Sequence, residues 1–317
     1  MGSKSAPRRG SLQFYPRKRS RKFLPRVNWT PLSSTKPMLG FIGYKVAMAS
    51  MLVKDSTADS LTKNKNITIP VTILEIPPMK IYSVRFYKDK LLTNEIILDN
   101  PDKELKKLIK LPKDYKIKLE DVKPETFDDL RVMAYSLAKK TSLKKKPDMT
   151  EFALSGDVNS KLEFIKNNIG KEISGSDILT DLKLVDIRAL TRGKGLVGPV
   201  KRFGIGLKSH KSEKGVRRPG NVGPFHPARV SFRVPMAGQL GMFTRAHYNK
   251  KILQLGKISE KDINPQEGFR HFGKIKTDYV ILEGSVQGPV KRQVLLTAPL
   301  RPTKKQEKKN YEVIRLV

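Results

Sequence analysis

Leu184-Val185-Asp186-Ile187-Arg188-Ala189-Leu190-Thr191-Arg192-Gly193-Lys194-Gly195-Leu196-Val197-Gly198-Pro199-Val200-Lys201-Arg202-Phe203-Gly204 forces a choice between two fold classes. Its first seven residues, aliphatic and partly β-branched, read as a β-strand. The Gly193-x-Gly195-x-x-Gly198 that follows has the spacing of a dinucleotide-binding turn. That turn works only if a helix starts there and aims its N-terminal amides at a pyrophosphate. Pro199 comes immediately after, Gly204 and Gly206 fall inside the would-be helix, and no βαβ pattern supports it. The nucleotide reading is therefore strongly disfavoured. Beside Lys194, Lys201 and Arg202, glycines let backbone approach a phosphate surface with no Cβ in the way. A tight solvent turn explains one or two of them, not the eight Gly and four Pro between Thr191 and Pro227. A stretch that long without apolar periodicity is a misreading, disorder or a functional extension.

The flanks of this stretch read as short strands. Downstream they are Ala228–Val234, Lys251–Leu255, Phe269–Ile275, Tyr279–Val286 and Gln293–Ala298. Upstream, Leu39–Lys45 and Ala47–Val53 suggest a strand pair, followed by Ile67–Ile76 (interrupted by Pro70) and Lys80–Tyr87. Many short strands with Gly and Pro turns indicate a β-barrel. A different texture runs from about Lys88 to Leu184. Pro101–Leu111 has helical spacing with Asn100 as N-cap, and Asp157–Ile169 reads as a helix stopped by Gly170. Leu130–Leu137 and Glu151–Leu154 fit strand or helix equally. The expected architecture is mainly β: a barrel split by an inserted α+β domain, with two basic extensions. Its segments are a basic N-terminal extension 1–37, a first barrel part 38–87 and the insertion 88–184. A second barrel part, 185–300, carries the basic extension 191–245, and a basic tail covers 301–317.

Charge assigns a purpose to the extensions. The chain has 317 residues with 64 Lys or Arg against 30 Asp or Glu, a formal net charge of +34. Self-repulsion on that scale calls for a polyanionic partner. From Met1 to Lys54 there are twelve bases and no acid, and from Arg188 to Lys257 sixteen bases and one acid, Glu213. Between them the signs nearly balance, as on an ordinary globular surface. Solvated lysine faces alternate in sign, and these stretches do not. In the arm, five prolines deny helix. Its Phe14, Tyr15, Phe23 and Trp29 are interleaved with Arg17, Lys18, Arg19, Arg21, Lys22 and Arg26. Such aromatics either stack on bases or dock the arm onto the protein's own body. Ordering both extensions costs about 1–2 kcal/mol per residue in backbone entropy, so without their polyanionic partner they are expected to stay mobile.

Other chemistry has little to stand on. The absence of Cys removes disulfides, thiolate nucleophiles and cysteine-bound metals, and four scattered His make no metal site. His210 and Glu213 lie three apart in the loop with no nucleophile nearby, and His226 is wedged between prolines. No enzyme, cofactor, metal, small-molecule substrate or membrane contact is expected. No apolar run reaches the ~20 residues of a membrane span, and no secretory or myristoylation signal opens the chain, so an intracellular, soluble protein is expected. Two other classes stay open. A packaging protein would bind any duplex and need no barrel, and a nucleotide-dependent enzyme would need the glycines above to bind a dinucleotide.

Longer motifs narrow the choice. Ala6-Pro7-Arg8-Arg9-Gly10-x-Leu12-x-Phe14-x-Pro16-Arg17-Lys18-Arg19 and Gly43-Tyr44-Lys45-x-x-Met48 open the series. The Thr191–Gly204 loop, Gly220-Asn221-Val222-Gly223-Pro224-Phe225-His226-Pro227-Ala228-Arg229-Val230 and Met236-Ala237-Gly238-Gln239-Leu240-Gly241 continue it. Gly268–Gly273, Gly284, Gly288, Lys291 and Arg292 close it. In this order they resemble the universal large-subunit ribosomal protein three family in its archaeal and eukaryotic form. The resemblance implies a split barrel of the translation-protein type on the outer side of the cytoplasmic large subunit. It also implies an arm and an internal extension threading through ribosomal RNA toward the peptidyl transferase centre, beside neighbouring ribosomal proteins. The family joins the subunit early, nucleates RNA folding, and affects aminoacyl-tRNA entry through the extension's tip. The implied RNA contacts are Arg8, Arg9, Arg17, Lys18, Arg19, Arg21, Lys22, Arg26, Arg192, Lys194, Lys201, Arg202, Lys208, His210, Lys214, Arg217, Arg218, Asn221, Phe225, His226, Arg229, Gln239 and Arg245. Phe225 stands where relatives usually carry Trp, which keeps a stacking face and loses an N–H donor. Glu213 stands near the position of a His that eukaryotic relatives modify, so that modification is not carried over.

Overall fold

The computed structural model describes residues 10–98, 101–112, 127–141 and 143–317. The expected Asn100 cap and the candidate contacts Arg8 and Arg9 lie outside them. The described strands are β1 (Gly40–Asp55), β2 (Asn66–Ile76), β3 (Met79–Lys88), β4 (Leu91–Ile97), β5 (Asp129–Ser136), β6 (Met149–Ala153), β7 (Leu184–Leu190), β8 (Leu196–Val197), β9 (Gly238–Gln239), β10 (Thr244–Gly256), β11 (Asp278–Glu283), β12 (Gln293–Thr297) and β13 (Tyr311–Leu316). The α-helices are short: α1 (Val158–Asn168), α2 (Gly175–Leu179), α3 (Pro199–Phe203) and α4 (Lys304–Glu307). The chain divides into a larger unit, residues 24–189 with 246–317, and a smaller one, residues 1–23 with 190–245. The fold is mainly β, as the sequence suggests.

In the larger unit seven strands pair in the order β12-β7-β10-β11-β2-β1-β13, and β12 pairs with β1 as well. The 16-residue β1 makes this possible. Its first half, Gly40–Tyr44, pairs with β12, and its last residues, Met51–Asp55, pair with β13. The expected strand pair within 39–53 is thus a single strand. The register shifts between Lys45 and Ala47, which leaves Val46 as a bulge. Phe41, Ile42 and Tyr44 fill one core, whereas Val46, Met51 and Val53 fill a second with Val71, Ile73 and Tyr279. A bulge that bends the strand from one core to the next looks in sequence like a turn between two strands.

Pro70 does not interrupt β2 either. It faces Ser50, whose N–H and C=O both pair with Val317 on the other side, so this position needs no amide from residue 70. On its other side β11 has ended, and the Gly284 amide donates to the Pro70 carbonyl at 2.8 Å.

A second sheet, β4-β3-β5-β6, carries α1. Ile165 of α1 is fully buried in the core that also holds Val84, Leu130, Val132 and Phe152. Gly170, at φ +69, follows the helix as expected. The two ambiguous segments are strands, β5 and β6. The helical spacing over Pro101–Leu111 yields only a 3₁₀ turn, Lys103–Lys107, because Leu105 alone reaches a buried position, against Tyr82, Tyr135 and Leu137.

Two other expected strands are absent from the described residues. Ala228–Val234 is made of bends and turns, nearly all of it exposed, and no strand pairs with it among the described residues. In Phe269–Ile275 the chain turns back at Phe269–Gly273, with the Phe269 amide donating to the Gly273 carbonyl and the Gly273 amide to the Phe269 carbonyl. Phe272 and Ile275 are buried there, and His271 takes a left-handed φ of +63. The residues after 300 are held by the pairing of β13 with β1 and by polar contacts to β10. The Lys251 ammonium donates to the carbonyls of Gln306, Glu307 and Lys309, the end of α4, where a cation meets unsatisfied carbonyls. Asn249 donates to the Arg301 carbonyl at 2.9 Å.

Candidate nucleic-acid interface

The smaller unit is assembled from residues the sequence marks as cationic. A short helix does start at Pro199, contrary to expectation. It runs five residues and stops where Gly204 adopts φ +65. Its Phe203 is buried, and the Arg17 guanidinium lies over that ring at 4.2 Å while donating to the Arg202 carbonyl at 2.9 Å. The arm is thereby stitched to the root of the long loop. The Arg202 side chain spans the root in turn, donating from Nε to the Gln239 carbonyl and from Nη1 to the Met236 carbonyl, both at 3.0 Å. β8 and β9 close the neck, and the Gln239 amide donates to the carbonyls of Leu240 and Gly241. Gly241, at φ +79, lies so close to Arg192 that a Cβ would stand 2.0 Å from its carbonyl oxygen. Here glycine is required. Arg245 lies over Phe14 at 4.4 Å and over Phe243 at 5.3 Å.

Beyond this root the chain changes character. From Gly206 to Arg233 nearly every residue is exposed, and the backbone hydrogen bonds are local, such as Lys208 to Val216 at 3.0 Å and Ser212 to Ser209 at 3.0 Å. Apolar side chains face outward too: Phe225 is 88% exposed and Phe232 64%. Phe225 stands edge-on to His226, with ring centroids 5.0 Å apart. Between Thr191 and Arg245 the sequence supplies twelve Lys or Arg and one acid, Glu213. In the larger unit, by contrast, several cations are paired with acids. Arg85 pairs with Glu95 at 3.0 Å and Glu151 at 2.9 Å, and Arg131 pairs with Glu151 at 3.0 Å.

The candidate contacts fall into two groups. Arg17, Arg202, Gln239 and Arg245 are half-buried and build the root. Partial burial, together with the neighbouring Arg17 charge, lowers the Arg202 and Arg245 guanidinium pKa values from the ordinary arginine value. Lys18, Arg19, Arg21, Lys22, Arg26, Arg192, Lys194, Lys201, Lys208, His210, Lys214, Arg217, Arg218, Asn221, Phe225, His226 and Arg229 are exposed. Lys211 and Arg233 share that setting and were missed, although charge alone would have marked them. The rings beneath the root arginines, Phe14, Phe203 and Phe243, were not separable in sequence from ordinary aromatics. Trp29 belongs to neither group: it is buried against Phe152, 5.9 Å between centroids, and docks its segment onto the larger unit's core.

Such a surface can neutralise phosphates with many cations at once and offer rings to unstacked bases. Among the described residues no group of three or more His, Asp or Glu could hold a metal ion, and no described helix is long and apolar enough to cross a membrane.

Comparison with known proteins points the same way. A model of the family described as Ribosomal protein L3 matches residues 1–316. The large ribosomal subunit protein uL3 of Methanobrevibacter smithii is 41% identical over 317 residues, covering 95% of this chain and 94% of that one. Its counterpart in Methanosphaera stadtmanae is 41% identical over 314 residues, covering 95% and 93%. That of Methanocaldococcus jannaschii is 39% identical over 308 residues, covering 93% and 92%.

Proposed function

The chain belongs to the ribosomal protein L3 family, and on that premise we propose that its arm and internal extension are the parts that enter large-subunit ribosomal RNA. Membership makes it a component of the large ribosomal subunit in the cytoplasm, a structural protein and not an enzyme. Its partners are ribosomal RNA and neighbouring ribosomal proteins. The observation that carries the finer reading is the segregation of charge and exposure. Residues 191–245 hold twelve bases and one acid, and beyond the root they spread cations and apolar rings into solvent. An exposed phenylalanine such as Phe225 needs a partner's surface to cover it.

In this reading the body docks on the subunit's outer side. The circuit of strand pairings from β12 through β7, β10, β11, β2 and β1 back to β12 supports reading this sheet as the barrel, with residues 88–184 as its insertion. The arm and extension fold along RNA strands that must approach one another, and each phosphate neutralised releases counterions. That action nucleates early assembly. The tip, Phe225 with His226, reaches toward the peptidyl transferase centre and stacks there. Hydroxyl-radical footprinting of reconstituted large-subunit RNA tests this, comparing the full chain with one whose residues 206–234 are replaced by a short Gly-Ser linker. Loss of interior protections with outer ones retained is expected. Identical footprints would refute the assignment.

A further inference from the structure

The seven-stranded sheet of the larger unit ends on an open edge. β13 is last in the pairing order, and among the described residues only β1 pairs with it. Ser50 exchanges both backbone bonds with Val317, and the Ser56 amide donates to the Asn310 carbonyl. Bonded and non-bonded pairs alternate along an antiparallel ladder, so the amides and carbonyls of Val313 and Leu316 face away from β1. The register shift opposite Leu52 and Val53 leaves Ile314 out of the ladder and 46% exposed. An open edge alone is only a hazard, which the bulge and the charges of Glu312 and Arg315 guard against indiscriminate pairing.

A second feature gives this edge a use. Beside it lies a cleft of about 430 Å³, lined by Ala49, Ile263, Phe269, Ile281, Val313 and Leu316. All six belong to the second core or pack against it, so the cleft opens onto apolar interior. Free main-chain groups running beside an apolar pocket are what β-strand addition needs: the backbone gives affinity and the pocket selects a side chain. Charge narrows the occupant. Lys261 and Arg315 stand exposed on the rim, and neither makes an ion pair among the described residues. The acid beside them, Asp262, already accepts the Asn264 amide at 2.8 Å. The open charges favour an acidic partner, and a net charge of +34 disfavours a second copy of this chain. RNA has neither a peptide backbone to continue a sheet nor an aliphatic side chain to fill the cleft.

We propose that β13 accepts an extended segment of a neighbouring large-subunit protein, which continues the sheet and buries a bulky apolar side chain in the cleft. Acidic residues flanking that side chain meet Lys261 and Arg315. This rests on the chain's place in the large subunit and adds to it a protein-docking site on the unit that carries neither the arm nor the extension.

The test uses intact large subunits containing the full chain with a photo-reactive amino acid in place of Ile314. Crosslinks should fall on one protein segment that alternates apolar and polar residues and carries Asp or Glu. Backbone amides of residues 311–316 should exchange at least tenfold more slowly in subunits than in the free chain. A synthetic peptide of the crosslinked sequence should bind the free chain saturably. Arg315→Glu and Ile314→Asp, both at exposed positions, should each weaken it at least tenfold with the circular dichroism unchanged. Crosslinks to RNA alone, or to a helical or basic protein segment, would overturn the proposal. So would exchange at 311–316 that assembly does not slow, or peptide binding that Arg315→Glu leaves intact. If position 225 crosslinks to RNA of the peptidyl transferase region while position 314 reaches no protein, this site fails and the wider reading stands. A chain that never enters subunits refutes both.

Discussion

Replacing Lys208, Arg217 and Arg218 together by Gln should change how RNA binding responds to salt. All three side chains are exposed in the extension. Surface substitutions of this kind leave stability within about 0.5 kcal/mol, so the effect is on binding. If each cation neutralises one phosphate, each contributes about 0.9 to the slope of log K against log salt on duplex RNA, or about 0.7 on single strands. Removing three lowers the slope by roughly 2.1 to 2.7. At 0.1 M salt that corresponds to about 2 to 2.7 decades of lost affinity. Fluorescence anisotropy with a labelled large-subunit RNA fragment, from 50 to 300 mM KCl, reads both quantities from one data set. Circular dichroism confirms that the fold is unchanged. A slope that stays within about 0.5 of the parent chain would refute the reasoning, because the extension's charge would then serve some purpose other than phosphate neutralisation.

Three other outcomes follow from individual residues. Phe225→Ala should leave incorporation into the subunit intact, measured by gradient sedimentation, and change aminoacyl-tRNA accommodation or sensitivity to peptidyl transferase inhibitors; an assembly defect alone would make the tip structural. Trp29→Ala should cost about 3–5 kcal/mol in urea unfolding, because this residue is only 4% exposed and packs on Phe152; a loss below about 1 kcal/mol would contradict its burial. The Asp55 carboxylate accepts hydrogen bonds from the hydroxyls of Ser60 and Thr62 and from the Thr57 amide, which hold its pKa far below the usual carboxylate range. Its ionised form therefore stabilises the fold above the unfolded value of about 3.9. The stability gap between parent and Asp55→Asn should shrink as pH falls below about 4, and a gap constant from pH 7 to 2.5 would contradict this.

The sequence was most legible where one local pattern determines the outcome. Asp157–Ile169 gave a helix because its apolar spacing and Gly170 agree, and β7, β11 and β12 emerged from short aliphatic runs flanked by turn residues. It was least legible where a partner settles the matter. Pro70 is tolerated only because Ser50 spends its hydrogen bonds on Val317, the last residue of the chain. Val46 reads as the end of a strand because a bulge leaves no mark in the composition. Ala228–Val234 alternates like a strand, yet no neighbouring strand pairs with it. The charged surface was easy to read, since acid-free stretches need no structure to be seen. What charge could not reveal is that Arg17, Arg202 and Arg245 are half-buried on phenylalanine rings while Lys208 and Arg217 stand in solvent.

The claim that the extension penetrates RNA comes down to where position 225 lies in an assembled subunit. A photo-reactive phenylalanine analogue placed there, and a second one at position 17 as a reference near the root, can be crosslinked in intact large subunits and the products mapped. Crosslinks from 225 to ribosomal RNA of the peptidyl transferase region, and from 17 to different RNA, are the expected result. Crosslinks from 225 confined to neighbouring proteins or to RNA at the subunit surface would contradict it.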